Sequence, residues 1–430
     1  MTRQFPRLFL LLAAIILTAG CAKLTLAWAD IKPSGPTARP DVLGVFADED
    51  PVTSPEDWTA ERAPLLRAVL EKEVYGTFPD KSSTRILDKR RLNDEAFGGA
   101  GVLEEWTLTA TASFNGETVE ARPFPGLDGF LLEVVLPAEK EEPVPIIIME
   151  TFCPSWEVAP DPAIWRPEDA GEMGGLLGGV MTYVFGRYIC TPPFEMILQR
   201  GYGVAVLYPQ SVPDRRKEGL AELKRLSQGH VDDRTRWGAV AAWGWLFSRA
   251  VDALDQDPRI DRDGLIVWGH SRYGKAALVA AAWDARIDAV IAHQSGTGGA
   301  SLNRDKKGES VGAITSAYPH WFAQNYEAYA GREEEMCVDQ HMLLALIAPR
   351  PALLGNARRD VWSDPNGAFR AAQGADPVYE LLGSGGLSQQ RLDQWRPEAD
   401  IAFWLRPGTH GVVKEDWPAF LDFLDAHAGN

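Results

Sequence analysis

The segment Ile266-Val-Trp-Gly-His-Ser-Arg-Tyr-Gly-Lys-Ala-Ala-Leu278 runs from an apolar strand through Gly-His-Ser directly into a helix. A chain that turns this sharply must end a strand at an open sheet edge and start a helix behind it. The Ser271 hydroxyl is thereby lifted into reach of a substrate. The backbone N–H that follows it, at the helix N-terminus, faces the place where negative charge develops on an attacked carbonyl. Gly269 lets the turn be tight. The usual pattern is Gly-x-Ser-x-Gly; here Tyr273 takes the last position and the glycine is displaced to Gly274.

A serine nucleophile needs a base and an acid that orients it, and after such an elbow these follow in the order acid, then histidine, each at a later strand exit. Pro351-Ala-Leu-Leu-Gly-Asn-Ala-Arg-Arg-Asp360 reads as a strand ending in an acidic loop, with Asp364 close behind. Ile401-Ala-Phe-Trp-Leu-Arg-Pro-Gly-Thr-His410 reads as the last strand, with His410 at its exit. Trp417, Phe420, Leu421 and Leu424 then recur at helical spacing. His270, His293, His320, His341, His230 and His427 are weaker candidates for the base on position. Asp360 is the expected acid; Asp364 stays open as the alternative, since one of the two is free to cap a helix.

Residues 1–29 have the layout of an export signal: Arg3 and Arg7, then the apolar run Leu8 to Leu17, with no acidic residue. Cleavage is expected after Ala29, giving a periplasmic or secreted product. Cleavage before Cys21 would instead leave a lipid anchor. No transmembrane domain is expected in the mature chain. With 60 acidic against 43 basic residues and a net charge of −17, the surface argues against nucleic acid as a partner. Beyond Cys21, Cys153, Cys190 and Cys337 are too widely spaced for a zinc site and too few for a disulfide framework. One bridge can form in an oxidising compartment, and the sequence alone does not pair it. No metal and no cofactor is expected, and a monomer is.

Residues 30–125 read as a mixed N-terminal lead-in packed on a catalytic domain spanning 126–430. Apolar runs at Phe130–Leu136, Val144–Met149, Tyr202–Leu207, Leu265–Val267 and Ala289–Ala292, with the strands before Asp360 and His410, form a buried, largely parallel set. Trp237, Val240, Gly244, Phe247, Val251 and Leu254 recur by threes and fours as a core-facing helical stripe. Alternation of strand and helix predicts a single α/β sheet covered on both faces. The Gly-, Pro- and aromatic-rich stretch Thr151–Leu198 is too long for a simple connection and is expected to wall the site.

Gly269-His-Ser-Arg-Tyr-Gly-Lys275 resembles the Gly-x-Ser-Arg-x-Gly-Lys signature of glucuronoyl esterases, carbohydrate esterase family 15. The resemblance continues through Gln294-Ser-Gly-Thr-Gly-Gly-Ala300, Gly308-Glu309, Tyr318-Pro-His-Trp-Phe322, Leu346-Ile-Ala-Pro-Arg-Pro351, Asp360-Val-Trp-Ser-Asp-Pro365 and Gly408-Thr-His-Gly411. It covers roughly the C-terminal two-thirds of the chain, and the N-terminal third matches only by position.

The resemblance implies an α/β-hydrolase fold and a bacterial-type serine esterase. Its substrate would be esters of glucuronate or 4-O-methyl-glucuronate in glucuronoxylan, including lignin–carbohydrate linkages. It makes Ser271 the nucleophile, His410 the base, Arg272 part of the oxyanion hole, and Lys275, Glu309 and Trp362 substrate-binding residues. Members with a glutamate after the strand following the elbow use it as the acid; Gln294 stands there, so the role falls to Asp360. Thr297 replaces a family cysteine, so no bridge is expected at that place. An acetyl-xylan or related polysaccharide deacetylase would use the same triad and is the alternative. Arg272 and Lys275, cations that oppose the dipole of the helix they begin, favour the uronate.

Overall fold

A computed structural model describes residues 39–47, 49–168 and 182–428. Ten strands form one sheet: β1 (Lys81–Glu95), β2 (Gly101–Phe114), β3 (Glu117–Glu120), β4 (Phe130–Pro137), β5 (Val144–Glu150), β6 (Gly203–Leu207), β7 (Ile260–His270), β8 (Ala289–His293), β9 (Ala352–Ala357) and β10 (Ile401–Arg406). Their spatial order is β1-β2-β4-β6-β5-β7-β8-β9-β10, with β3 paired to β2. The six strands from β6 to β10 run parallel. In contrast to the sequence expectation, β4 is antiparallel to both of its neighbours. A strand buried on both faces is a continuous apolar run whichever way it points, so composition does not reveal direction.

The N-terminal lead-in does more than pack on the sheet. It supplies β1, β2 and β3, and β2 is buried along most of its length. The export signal expected in residues 1–29 lies outside the described residues. Among the described residues, no helix is long and apolar enough to cross a membrane.

Successive residues of β5 face opposite cores. Ile146 and Ile148 join one apolar cluster, with Val240, Ala276 and Ala372 from helices Ala239–Leu254, Arg272–Trp283 and Pro365–Leu381. Ile147 and Met149 join the other, with Ile197 from helix Phe194–Gln199 and Phe420 from helix Asp416–His427. The period of two along the strand and helices on both faces are one and the same constraint. Helix Arg272–Trp283 buries Ala276, Ala277 and Ala280 against helix Ala239–Leu254, where a Cβ added at Gly244 would lie 3.1 Å from the Ala276 carbonyl oxygen. Small residues on both surfaces bring this pair of helices close beneath the elbow. Trp237 is buried just before the second helix, its ring 5.1 Å from Phe114 and 5.8 Å from Trp245, as expected for packing.

Candidate active site

β7 ends at His270, and Ser271 carries the turn with φ 56° and ψ −119°, a conformation that L residues with a Cβ rarely adopt. The turn is held by the Ser271 N–H, which donates to the His293 carbonyl at 2.8 Å. The displaced glycine has a steric cause. A Cβ at Gly269 would lie 2.0 Å from the Tyr273 oxygen, and one at Gly274 would lie 2.9 Å from the Gly269 oxygen. The first turn of the helix thus crosses the strand end at Gly274, and Tyr273 is free to point into the core beside Phe152 and Trp243.

His410 Nδ1 donates to Asp360 Oδ2 at 2.7 Å, and Ser363 Oγ lies 3.4 Å from the same nitrogen. Burial pushes the Asp360 carboxyl up, but pairing with His410 and hydrogen bonds from Ser363 outweigh it and hold the group below its usual range. Asp364 does something else: its side chain accepts the Gly367 N–H at 3.1 Å and caps helix Pro365–Leu381. The His410 ring packs 4.6 Å from that of His270, which places the base beside the elbow.

Gln294, the neutral residue standing where some family members carry the acid, has a structural part in the site. At the exit of β8, with φ 51° and 1 % exposed, it accepts the Gly411 N–H through Oε1 at 2.8 Å and donates from Nε2 to the Thr409 carbonyl at 3.4 Å. One amide therefore grips both neighbours of His410, a job that needs a donor and an acceptor on one side chain.

Lys275 is buried rather than presented at the surface. Its ammonium donates to the Ser295 and Thr297 carbonyls at 2.5 and 2.7 Å, pinning the glycine-rich loop after β8. Burial lowers its pKa to about 8 against the pull of nearby Glu309. Two of its three donors are thus engaged within the protein. The Thr297 hydroxyl donates to the Glu309 carbonyl. Glu309 is held reciprocally by Trp362: the indole N–H donates to Oε1 at 3.2 Å and the Glu309 N–H to the Trp362 carbonyl at 3.1 Å. Trp362 is 59 % exposed.

Arg272 is ion-paired with Asp214, a partner that the sequence did not signal, and its guanidinium lies 5.0 Å from the Phe152 ring centre and 5.4 Å from that of Trp321. Asp214 is itself fixed by the Trp321 indole N–H at 2.8 Å. Arg272 and Tyr273 border a cavity of about 670 Å³ walled by Phe152, Tyr208, Gln210 and Asp214. The described parts of the stretch Thr151–Leu198 do lie against the site. Cys153 and Cys190 form a disulfide, and Phe185 and Tyr188 exchange backbone hydrogen bonds with Val412, two residues beyond His410. Cys337 is free.

A strand-ending serine in a strained turn, with a buried aspartate paired to a partly exposed histidine at the exits of two later parallel strands, defines a serine hydrolase of the α/β-hydrolase class. The family description "Glucuronyl esterase, fungi" matches residues 231–383. Carbohydrate esterase MZ0003, from an unknown prokaryotic organism, is 34 % identical over 404 residues, covering 90 % of this chain and 89 % of that one. A solved promiscuous CE15 esterase from a marine bacterial metagenome superposes with a TM-score of 0.76 at 31 % identity, covering 92 % of this chain and 98 % of that one. The glucuronoyl esterase from Solibacter usitatus superposes with a TM-score of 0.75 at 32 % identity, covering 93 % and 99 %. The chain belongs to carbohydrate esterase family 15.

Proposed function

We propose that this protein is a serine esterase that cleaves esters of glucuronate and 4-O-methyl-glucuronate, acting on glucuronoxylan and its lignin–carbohydrate linkages. The observation that carries the reading is the Asp360–His410 pair beside Ser271 in a chain of this family. His410 takes the Ser271 proton as the hydroxyl attacks the ester carbonyl. The same imidazole then protonates the departing alcohol. The acyl-enzyme is released by a water that His410 activates in turn. The Arg272 N–H and guanidinium stabilise the oxyanion, each such donor contributing about 3 to 4 kcal/mol in comparable sites.

The exposed Trp362 face stacks on the sugar, and Glu309, already oriented by that indole, accepts a sugar hydroxyl. Lys275 keeps one donor beyond its two carbonyls for the same ring. The protein is exported and acts as a monomer, and its acidic surface disfavours nucleic acid. The test is hydrolysis of benzyl glucuronate measured beside acetylated xylan. Faster release of acetate than of the benzyl alcohol would replace the uronate reading with that of a polysaccharide deacetylase.

A further inference from the structure

Two histidines that the mechanism does not use stand behind the catalytic base. His270, at the end of β7, is 1 % exposed and His293, at the end of β8, is fully buried. Their Nδ1 atoms are 3.2 Å apart, so one ring must donate and the other accept. His293 Nε2 lies 3.5 Å from Asp416 Oδ1. That carboxylate also accepts from Arg406 Nε at 2.8 and 3.0 Å. His293 Nε2 makes no hydrogen bond to that carboxylate, so the proton shared by the two Nδ1 atoms can sit on either ring.

The same ion pair builds the loop that carries His410. Arg406 donates to the Pro407, Thr409 and Gly411 carbonyls at 3.0, 3.2 and 2.6 Å, and Asp416 accepts the Val413 N–H at 2.8 Å. The chain of contacts returns to its start, since the His270 ring packs 4.6 Å from the His410 ring at an interplanar angle of 44°.

We propose that His270 is a positioning residue for His410. Held by His293 and the Arg406–Asp416 pair, it supports the catalytic imidazole separately from Asp360. Burial, together with the charges of Arg406 and His410, drives the pKa of His270 well below the usual histidine range, and the same holds for His293. Both rings are therefore neutral while the enzyme works. A neutral dipole beside His410 suits a group that becomes an imidazolium in the transition state, whereas a second cation would oppose it. The groups that face His410 are Asp360 and Ser363 from the loop after β9 and His270 from β7, with Arg406 beyond His293 on β10. The position also joins nucleophile and base, because Ser271 follows His270 in the chain and hangs from the His293 carbonyl.

The inference rests on His410 being the base, and His410→Ala tests that separately: wild-type turnover there would remove the base assignment itself. The experiment on the inference takes His270→Leu, His270→Gln and His293→Leu, with kcat, KM, the pH profile of kcat/KM on benzyl glucuronate, and Tm. In His270→Leu, kcat falls about tenfold or more, KM stays within about twofold, and the acid-side limb moves about half a pH unit lower, because an apolar neighbour disfavours the charged imidazole. Glutamine restores a dipole and recovers part of kcat. His293→Leu, which removes the hydrogen-bond partner of His270 Nδ1, moves the limb the same way. An unmoved limb in His270→Leu, or losses that merely follow Tm across all three variants, would overturn the proposal by reducing His270 to packing. Should His270→Leu not fold, an unmoved limb in His293→Leu overturns it equally.

Discussion

Asp360 and Asp364 stand at opposite ends of one short loop and hold different partners. Asp360 accepts His410 Nδ1–H at 2.7 Å, while Asp364, with φ 51°, caps the next helix through the Gly367 N–H at 3.1 Å. Asp360→Asn keeps the shape but presents the wrong hydrogen-bonding partner to the imidazole, so kcat is expected to fall about a thousandfold or more. Asp364→Ala loses a cap and suffers at a left-handed backbone position; a cost of about 1 to 2 kcal/mol in Tm-derived stability is expected, with kcat within a few-fold. Kinetics and thermal melts on the two variants check the division, and a reversed ranking would move the acid to Asp364.

The Gln294 amide predicts an intermediate effect. Gln294→Leu removes both hydrogen bonds to the neighbours of His410, and kcat is expected to drop about ten- to a hundredfold with KM little changed. This is a larger loss than the sequence suggests for a neutral residue in the place of a family glutamate, and smaller than that of Asp360→Asn. Wild-type kcat in this variant would show that the Arg406–Asp416 pair holds the loop unaided.

Lys275 predicts a stability effect as well as a binding effect. Lys275→Met keeps much of the volume but leaves the Ser295 and Thr297 carbonyls unpaired in the interior, at a cost of about 2 to 3 kcal/mol. Because the loop they pin lies behind the elbow and Glu309, hydrolysis of a small, sugar-free ester should fall together with that of glucuronate esters. A loss confined to glucuronate esters, with unchanged Tm, would instead assign Lys275 wholly to substrate.

Glu133 on β4 gives a pH-dependent test. Burial and the nearby Glu105 carboxylate raise its pKa from 4.5 to about 8. The folded state therefore holds this proton more tightly than the unfolded chain. Its contribution to stability is full below about pH 4.5, declines as pH rises toward 8, and is flat above. Glu133→Gln, which keeps the neutral shape, should leave stability at pH 4 nearly unchanged and raise it at pH 8 by on the order of a few kcal/mol at most, read as a higher Tm at pH 8 only. Equal Tm shifts at both pH values would mean that the carboxyl is not neutral in the fold.

The parts of this site that the sequence made legible all sit at strand exits. Ser271, Asp360 and His410 each follow an apolar run, and the sheet does the work of bringing those runs side by side. What stayed hidden depends on pairs of residues far apart in the chain. Gln294 and Gly411 are 117 residues apart, and the disulfide joins Cys153 to Cys190. The sequence assigns Lys275 to substrate, and its burial stays hidden because it follows from carbonyls twenty and more residues away. Asp214, which holds Arg272, lies in a loop with no periodic pattern to mark it.

Peptide mapping of the enzyme quenched during turnover of a glucuronate ester reads the identity of the nucleophile without intermediary. A glucuronoyl adduct is expected on the peptide carrying Ser271, absent in Ser271→Ala along with more than about 99.9 % of turnover, on the order expected for loss of a nucleophile. An adduct on another residue, or undiminished cleavage by Ser271→Ala, would contradict Ser271 as the nucleophile.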